Sequence, residues 1–174
     1  MMHFGKKAAT KRKCKGVNAK FILVPYKPGC DGTDTPHHLI PGRCLRDTPG
    51  YVHDDAPCIC VNGRSQHMDK HRDCHEVFDP VERWHFENGE DFKYSTARDT
   101  AAYSAGGAKD PPSELTAKEL ECVKLQLDEY YKAKPPAGPG LTNNDDLRAS
   151  GAPGKVNEHY MEVDSTGGAA PLPE

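Results

Sequence analysis

Aromatic side chains are scarce in this chain and long apolar runs are absent. Of 174 residues, one is Trp and five are Phe, so any core must be compact. No stretch approaches the roughly 20 consecutive apolar residues that span a bilayer, which argues against membrane insertion. The N-terminus, MMHFGKKAATKRKCKG, lacks the apolar segment of a secretory signal, so export by the general secretory route is not expected. No CxxC pair occurs, and the paired-knuckle signal of a zinc finger is missing with it. The seven cysteines are an odd number and, without a secretory signal, argue against a disulfide framework. They are expected as small buried residues, with a structural metal site built from Cys58 or Cys60 and His53 as the lesser alternative.

What is present is unevenly spread. Residues 1–80 carry 13 Lys/Arg against 9 Asp/Glu, and residues 81–174 carry 10 against 17, so a basic half precedes an acidic one. Lys6, Lys7, Lys11, Arg12, Lys13 and Lys15 crowd the N-terminus. Residues 1–18 are therefore expected as a basic flexible segment, able to lie along a phosphate backbone but more often simply solvated. From 134 to 174 the chain runs through PPAGPG, TNNDD, SGAPG and STGGAAPLPE. Such composition buries too little apolar surface to order itself, so 134–174 is expected to be a disordered tail.

Between these ends the patterning is of mixed type. Phe21 to Tyr26 reads as a short strand limited by Pro25, and Cys58 to Val61 reads as a second that stops at the turn dipeptide Asn62-Gly63. With Ser65 as N-cap, Gln66 to Phe78 reads as a helix, and residues 91–105 as another. The strongest helix signal is TAKELECVKLQLDEYYKA. There Thr116 and Glu119 form a capping box, and Leu120, Val123, Leu127 and Tyr131 make an apolar stripe at helical spacing.

Histidine carries the chemistry. Seven of nine fall at positions 37, 38, 53, 67, 71, 75 and 85. In a strand, the adjacent His37 and His38 point to opposite faces, but at a strand end both can serve one site, one as metal ligand and one as proton acceptor. His67, His71 and His75 recur every four residues, so on a helix they form one stripe. Two imidazoles at that spacing can chelate one ion. Three cannot, because His67 and His75 lie about 12 Å apart along the axis. One ion therefore takes either His67 and His71 or His71 and His75. A metalloprotease is set aside because Arg72 stands where HExxH has Glu.

The order of parts is a strand ending in HH, a second strand, then a helix offering His at i and i+4. The stretch TPHHLIPGRCLRD…YVHDDAPCICVNGRSQHMDKHRDCHEVFD resembles the HNH/endonuclease VII nuclease superfamily. Within it, the stretch looks most like the GHH-signature toxin domains of bacterial polymorphic toxins and type VI secretion effectors. Two positions depart from that pattern: Pro36 stands where a small residue precedes HH, and Arg72 follows His71 where Gly is usual.

The resemblance implies an α+β fold: a small ββα-metal nuclease core over about 35–80, within a toxin domain 19–133 whose part 81–133 is a helical extension. It implies His38 as the general base that activates water against a DNA phosphodiester, and His37, His71 and His75 as ligands of one divalent ion. Asn62 would orient His38, while His67, Arg43 and Arg64 are candidates for supporting the site or contacting phosphate. Imidazole ligands favour Zn²⁺, Ni²⁺ or Mn²⁺ over Mg²⁺, although single-metal nucleases also work with Mg²⁺. The implied partners are DNA, a cognate immunity protein and a component of a secretion apparatus, with delivery into the cytoplasm of a target cell. The alternative is a non-catalytic, zinc-stabilised nucleic-acid-binding module.

Overall fold

The computed structural model describes residues 9–63 and 68–150. It is an α+β structure in which, among the described residues, two small antiparallel sheets pack against three helices of ten residues or more. Strands β1 (Val24–Pro25), β2 (Thr35–His38) and β3 (Pro57–Val61) form one sheet in the order β1-β3-β2. Helix α1 (Asp69–Asn88) follows, then β4 (Phe92–Lys93), α2 (Tyr94–Ser104), α3 (Ala117–Tyr131) and β5 (Asp146–Leu147), with β4 and β5 paired. Among the described residues no helix is long and apolar enough to cross a membrane.

The sheet aligns the histidine pair. In β2, His37 lies opposite Ile59 and His38 opposite Cys58. Thr35 fixes the other end of that hairpin, its hydroxyl reaching the carbonyl of Gly63 at 2.6 Å. The expected strand from Phe21 to Tyr26 is shorter, because Ala19–Phe21 is a 3-10 turn capped by Asn18. Gln126 of α3 takes up the backbone that follows, accepting from Leu23 N–H at 2.7 Å and donating to the Phe21 carbonyl at 2.8 Å. Only Val24 and Pro25 remain to pair with β3.

Helix α1 begins later and runs further than the sequence suggested. Pro80 lies inside it rather than closing it. A proline removes one helical N–H, but the turns on either side are held by burial of Phe78, Asp79 and Glu82. The helix ends at Gly89, whose φ of 63° is the left-handed C-cap conformation that glycine adopts without cost. Helix α3 has the expected capping box, Glu119 N–H to Thr116 and Thr116 N–H to Glu119. Its residues Val123, Leu127 and Tyr131 are fully buried beside Phe21, Leu39, Ile40, Ile59 and Phe78, with Leu120 packed at the margin.

Three expectations change. Residues 9–13 are helical, and the described part of the basic segment is fastened rather than loose, Cys14 being disulfide-bonded to Cys122 and Lys13 paired with Glu121 at 2.9 Å, while residues 1–8 lie outside the described residues. A second disulfide joins Cys30 to Cys60, leaving Cys44, Cys58 and Cys74 as buried thiols. With Cys60 bonded, it is withdrawn from any metal site with His53. Residues 134–150 are also ordered, through backbone partners that composition does not reveal. Leu141 N–H donates to the Tyr131 carbonyl, Tyr94 N–H to Asp145, and Arg148 N–H to Cys44. The tail beyond 150 lies outside the described residues.

The turn of α1 that carries the histidines is seated on glycine. A Cβ at Gly107 would stand 2.7 Å from the backbone of Asp73 and Cys74, midway between His71 and His75. Backbone cannot yield as a flexible side-chain tip does, so Gly107→Ala is expected to cost about 1–3 kcal/mol. Urea denaturation of the variant beside wild type measures it.

A candidate metal centre of three histidines

Helix α1 presents a polar stripe to the interior. Cys74, His75, Phe78, Asp79 and Glu82 are its buried residues, and at i, i+4 and i+8 from His71 the stripe reads His71, His75, Asp79. His37, at the end of β2, faces that stripe. Its ring centroid lies 4.4 Å from that of His71 and 4.9 Å from that of His75, and the two helix rings stack at 5.4 Å. One donor atom from each of the three can be chosen so that all lie within 4.8 Å of one another. Among the described residues this is the one group with such geometry.

The donor set suits a divalent ion of intermediate softness. Three imidazoles with no carboxylate favour Zn²⁺, Ni²⁺ or Mn²⁺ over Mg²⁺, and three protein ligands would leave positions for water and substrate. His37 is kept neutral, its pKa held well below the ordinary value by burial first and then by His71, His75, His38 and Arg43. His75 is oriented from behind. Its Nδ1 lies 3.0 Å from Asp79 Oδ1, and a carboxylate can only accept, so Nδ1 carries a proton and, in the neutral ring, Nε2 carries the lone pair.

His38 takes the opposite side of β2, as strand alternation requires. It stacks on Tyr26 at 4.8 Å and lies 4.3 Å from His53. Its Nε2 is 3.1 Å from the His53 carbonyl. Again the partner can only accept, which places the proton on Nε2 and a lone pair on Nδ1. Burial and the neighbouring His53 lower its pKa to about 4, so the ring is neutral near pH 7. The structure thus brings His37, His71 and His75 together and sets His38 in an adjoining cluster with His53 and Tyr26.

The other expected site residues fare differently. The carbonyl that holds His38 belongs to His53, not to the Asn62 side chain, whose Oδ1 accepts from Lys70 N–H at 3.4 Å while its backbone carbonyl accepts from His71 N–H. Asn62 therefore fastens the start of the ligand helix. Arg43 is not placed to meet phosphate. It has no exposed surface, and its guanidinium is spent on Asp79 at 2.6 Å and Glu82 at 2.7 Å. His67 and Arg64 lie outside the described residues. The sequence reading missed Asp79 and Glu82, although Asp79 continues the four-residue spacing of His71 and His75. It also missed the contact of His53 with His38, which no local spacing announces.

A ligand and a base respond differently to removal. Titration with Co²⁺ should give one equivalent of bound ion with a visible d–d band in wild type and in His38→Ala. The band should be lost or much weakened in His37→Ala.

A comparison with known proteins finds similarity to a protein of Pseudomonas aeruginosa named DNase toxin Tse7, 28% identical over 152 residues, covering 73% of this chain. The chain spans 36% of that relative's length. No family model matches the chain, and no solved structure matches it.

Proposed function

We propose that this chain is a metal-dependent endonuclease that hydrolyses DNA phosphodiester bonds without sequence specificity and acts as an antibacterial toxin. The observation that carries the reading is the meeting of His37 from a strand end with His71 and His75 from one helix face, while His38, with its tautomer fixed, stands on the other side of the same strand. Similarity to a protein named as a DNase toxin supports the same substrate class. In this reading, strand β2, strand β3 and helix α1 make up a ββα-metal core of the HNH/endonuclease VII type, with the GHH-signature toxins as the nearest pattern.

The roles follow from the atoms available. His38 holds its Nε2 proton against the His53 carbonyl, so its Nδ1 is the acceptor for a water proton. Tyr26, stacked on that ring, limits its rotation. The water attacks phosphorus as its proton passes to His38, and the bond from phosphorus to the 3′-oxygen breaks. His37, His71 and His75 hold one divalent ion, Zn²⁺, Ni²⁺, Mn²⁺ or Mg²⁺. When bound, such an ion supplies Lewis-acid stabilisation of charge on the phosphate and on the leaving oxygen.

A toxin of this class requires a tight inhibitor in the producing cell, so a cognate immunity protein is a proposed partner. Delivery by a type VI or other specialised secretion system into the target cytoplasm is proposed with it.

Purified protein should nick and linearise supercoiled plasmid in the presence of a divalent ion and fail to do so in EDTA. His38→Ala should retain its fold and its bound metal but lose about 10²–10⁴-fold in cleavage rate. Intact plasmid with every one of the four metals would overturn the nuclease reading.

A further inference from the structure

Among the described residues, the most heavily buried charges stand directly behind the histidine centre. Arg43 is fully buried, Glu82 fully buried and Asp79 nearly so. Arg43 donates to Glu82 through both Nε and Nη2, at 3.0 and 2.7 Å, and to Asp79 through Nη2 at 2.6 Å. Glu82 receives a further bond from Ser150 N–H at 2.8 Å. The same oxygen of Asp79 that meets Arg43 also meets His75 Nδ1. Among the described residues Arg43 thus faces two carboxylates, Glu82 and Asp79, and Asp79 is the one set against the back of a histidine in the candidate centre.

We propose that Asp79 is a positioning residue of the metal centre: held by Arg43, it accepts a hydrogen bond from Nδ1–H of His75 and so turns the Nε2 lone pair toward His37 and His71. This rests on the reading of the three histidines as a metal site and deepens it. The physical case has two parts. A histidine that ligates through one nitrogen is oriented by what its other nitrogen donates to, and a carboxylate there raises its basicity. In addition, an ion of charge +2 among three neutral rings is poorly solvated when buried, and Asp79 is the anion placed to offset it. The network also has a mechanical consequence. Arg43 sits in the 3-10 turn Gly42–Cys44, four residues after β2. Its bonds to α1 therefore help fix the distance between the strand that carries His37 and the helix that carries His71 and His75.

Asp79→Asn tests the proposal, because it keeps the shape and one hydrogen-bond acceptor for His75 while removing the charge. Zn²⁺ affinity, read by competition with a chromophoric chelator, should fall about 10–100-fold, with the thermal midpoint of the metal-free protein showing that the variant is folded. In a His75→Ala background the same substitution should leave the residual affinity unchanged, since Asp79 acts through His75. A measurement on wild type needs no variant. ¹⁵N NMR of the Zn²⁺-loaded protein should show His75 protonated at Nδ1 and coordinated through Nε2. Unchanged Zn²⁺ affinity in Asp79→Asn, or coordination of His75 through Nδ1, would overturn this proposal alone. Failure of the wild-type protein to take up either Zn²⁺ or Co²⁺ would overturn it together with the metal reading on which it rests.

Discussion

The buried guanidinium of Arg43 is the constraint on which the arrangement turns. Taking an arginine and two carboxylates out of water is costly, and the cost is recovered only when every group is paired in good geometry. Here the pairing is dense: Nε and Nη2 on Glu82, Nη2 on Asp79, and Ser150 N–H on the remaining oxygen of Glu82. These bonds join three parts of the chain that are remote in sequence: the turn after β2, the middle of α1 and the end of the ordered C-terminal segment. Because the pairing tolerates little displacement, it fixes the place of α1 against the sheet. The three histidines meet across that same junction.

Around this junction the apolar core does the bulk of the stabilising work. Phe21, Leu39, Ile40, Leu45, Ile59, Phe78 and Leu127 are buried together, and the paucity of aromatic residues is met by close packing of alanine and glycine. Gly107 against the backbone of Asp73 and Cys74 is the plainest case. The contact brings the 3-10 turn Ala105–Ala108 onto α1 at the level of the two helix histidines. A ligand helix seated backbone-to-backbone, pinned by Asn62 at its start and by Arg43 in its middle, has little freedom to spread its imidazoles apart. Rigidity of that kind suits a site that must present three lone pairs to one point.

The two histidines of the HH pair show how one dipeptide yields two environments. Strand alternation sends His37 inward to the α1 stripe and His38 to the far side, against Tyr26 and His53. Two rings, His75 on α1 and His38 on β2, have a proton placed by their surroundings. His75 gives Nδ1–H to a carboxylate, and His38 gives Nε2–H to a carbonyl. The same residue type is thereby held in two different ways, by hydrogen-bond partners alone.

The amino-acid sequence by itself determined what depends on near neighbours along the chain. The capping box of Thr116 and Glu119, the buried stripe of α3, the β2 and β3 segments and the i, i+4 relation of His71 and His75 were all legible. Each follows from local backbone periodicity and from side chains a few residues apart. The mixed α and β character followed from the same patterns. What only the tertiary structure decided was every relation that closes a long loop. Arg43 read as a candidate for supporting the site or contacting phosphate, and it is buried because Asp79 and Glu82 meet it from 36 and 39 residues away. The ordered course of residues 134–150 and the Cys14–Cys122 bond likewise depend on partners that folding alone brings near. Composition records what a segment can bury by itself, whereas a segment poor in apolar side chains can still be ordered by backbone hydrogen bonds to a surface that is already folded.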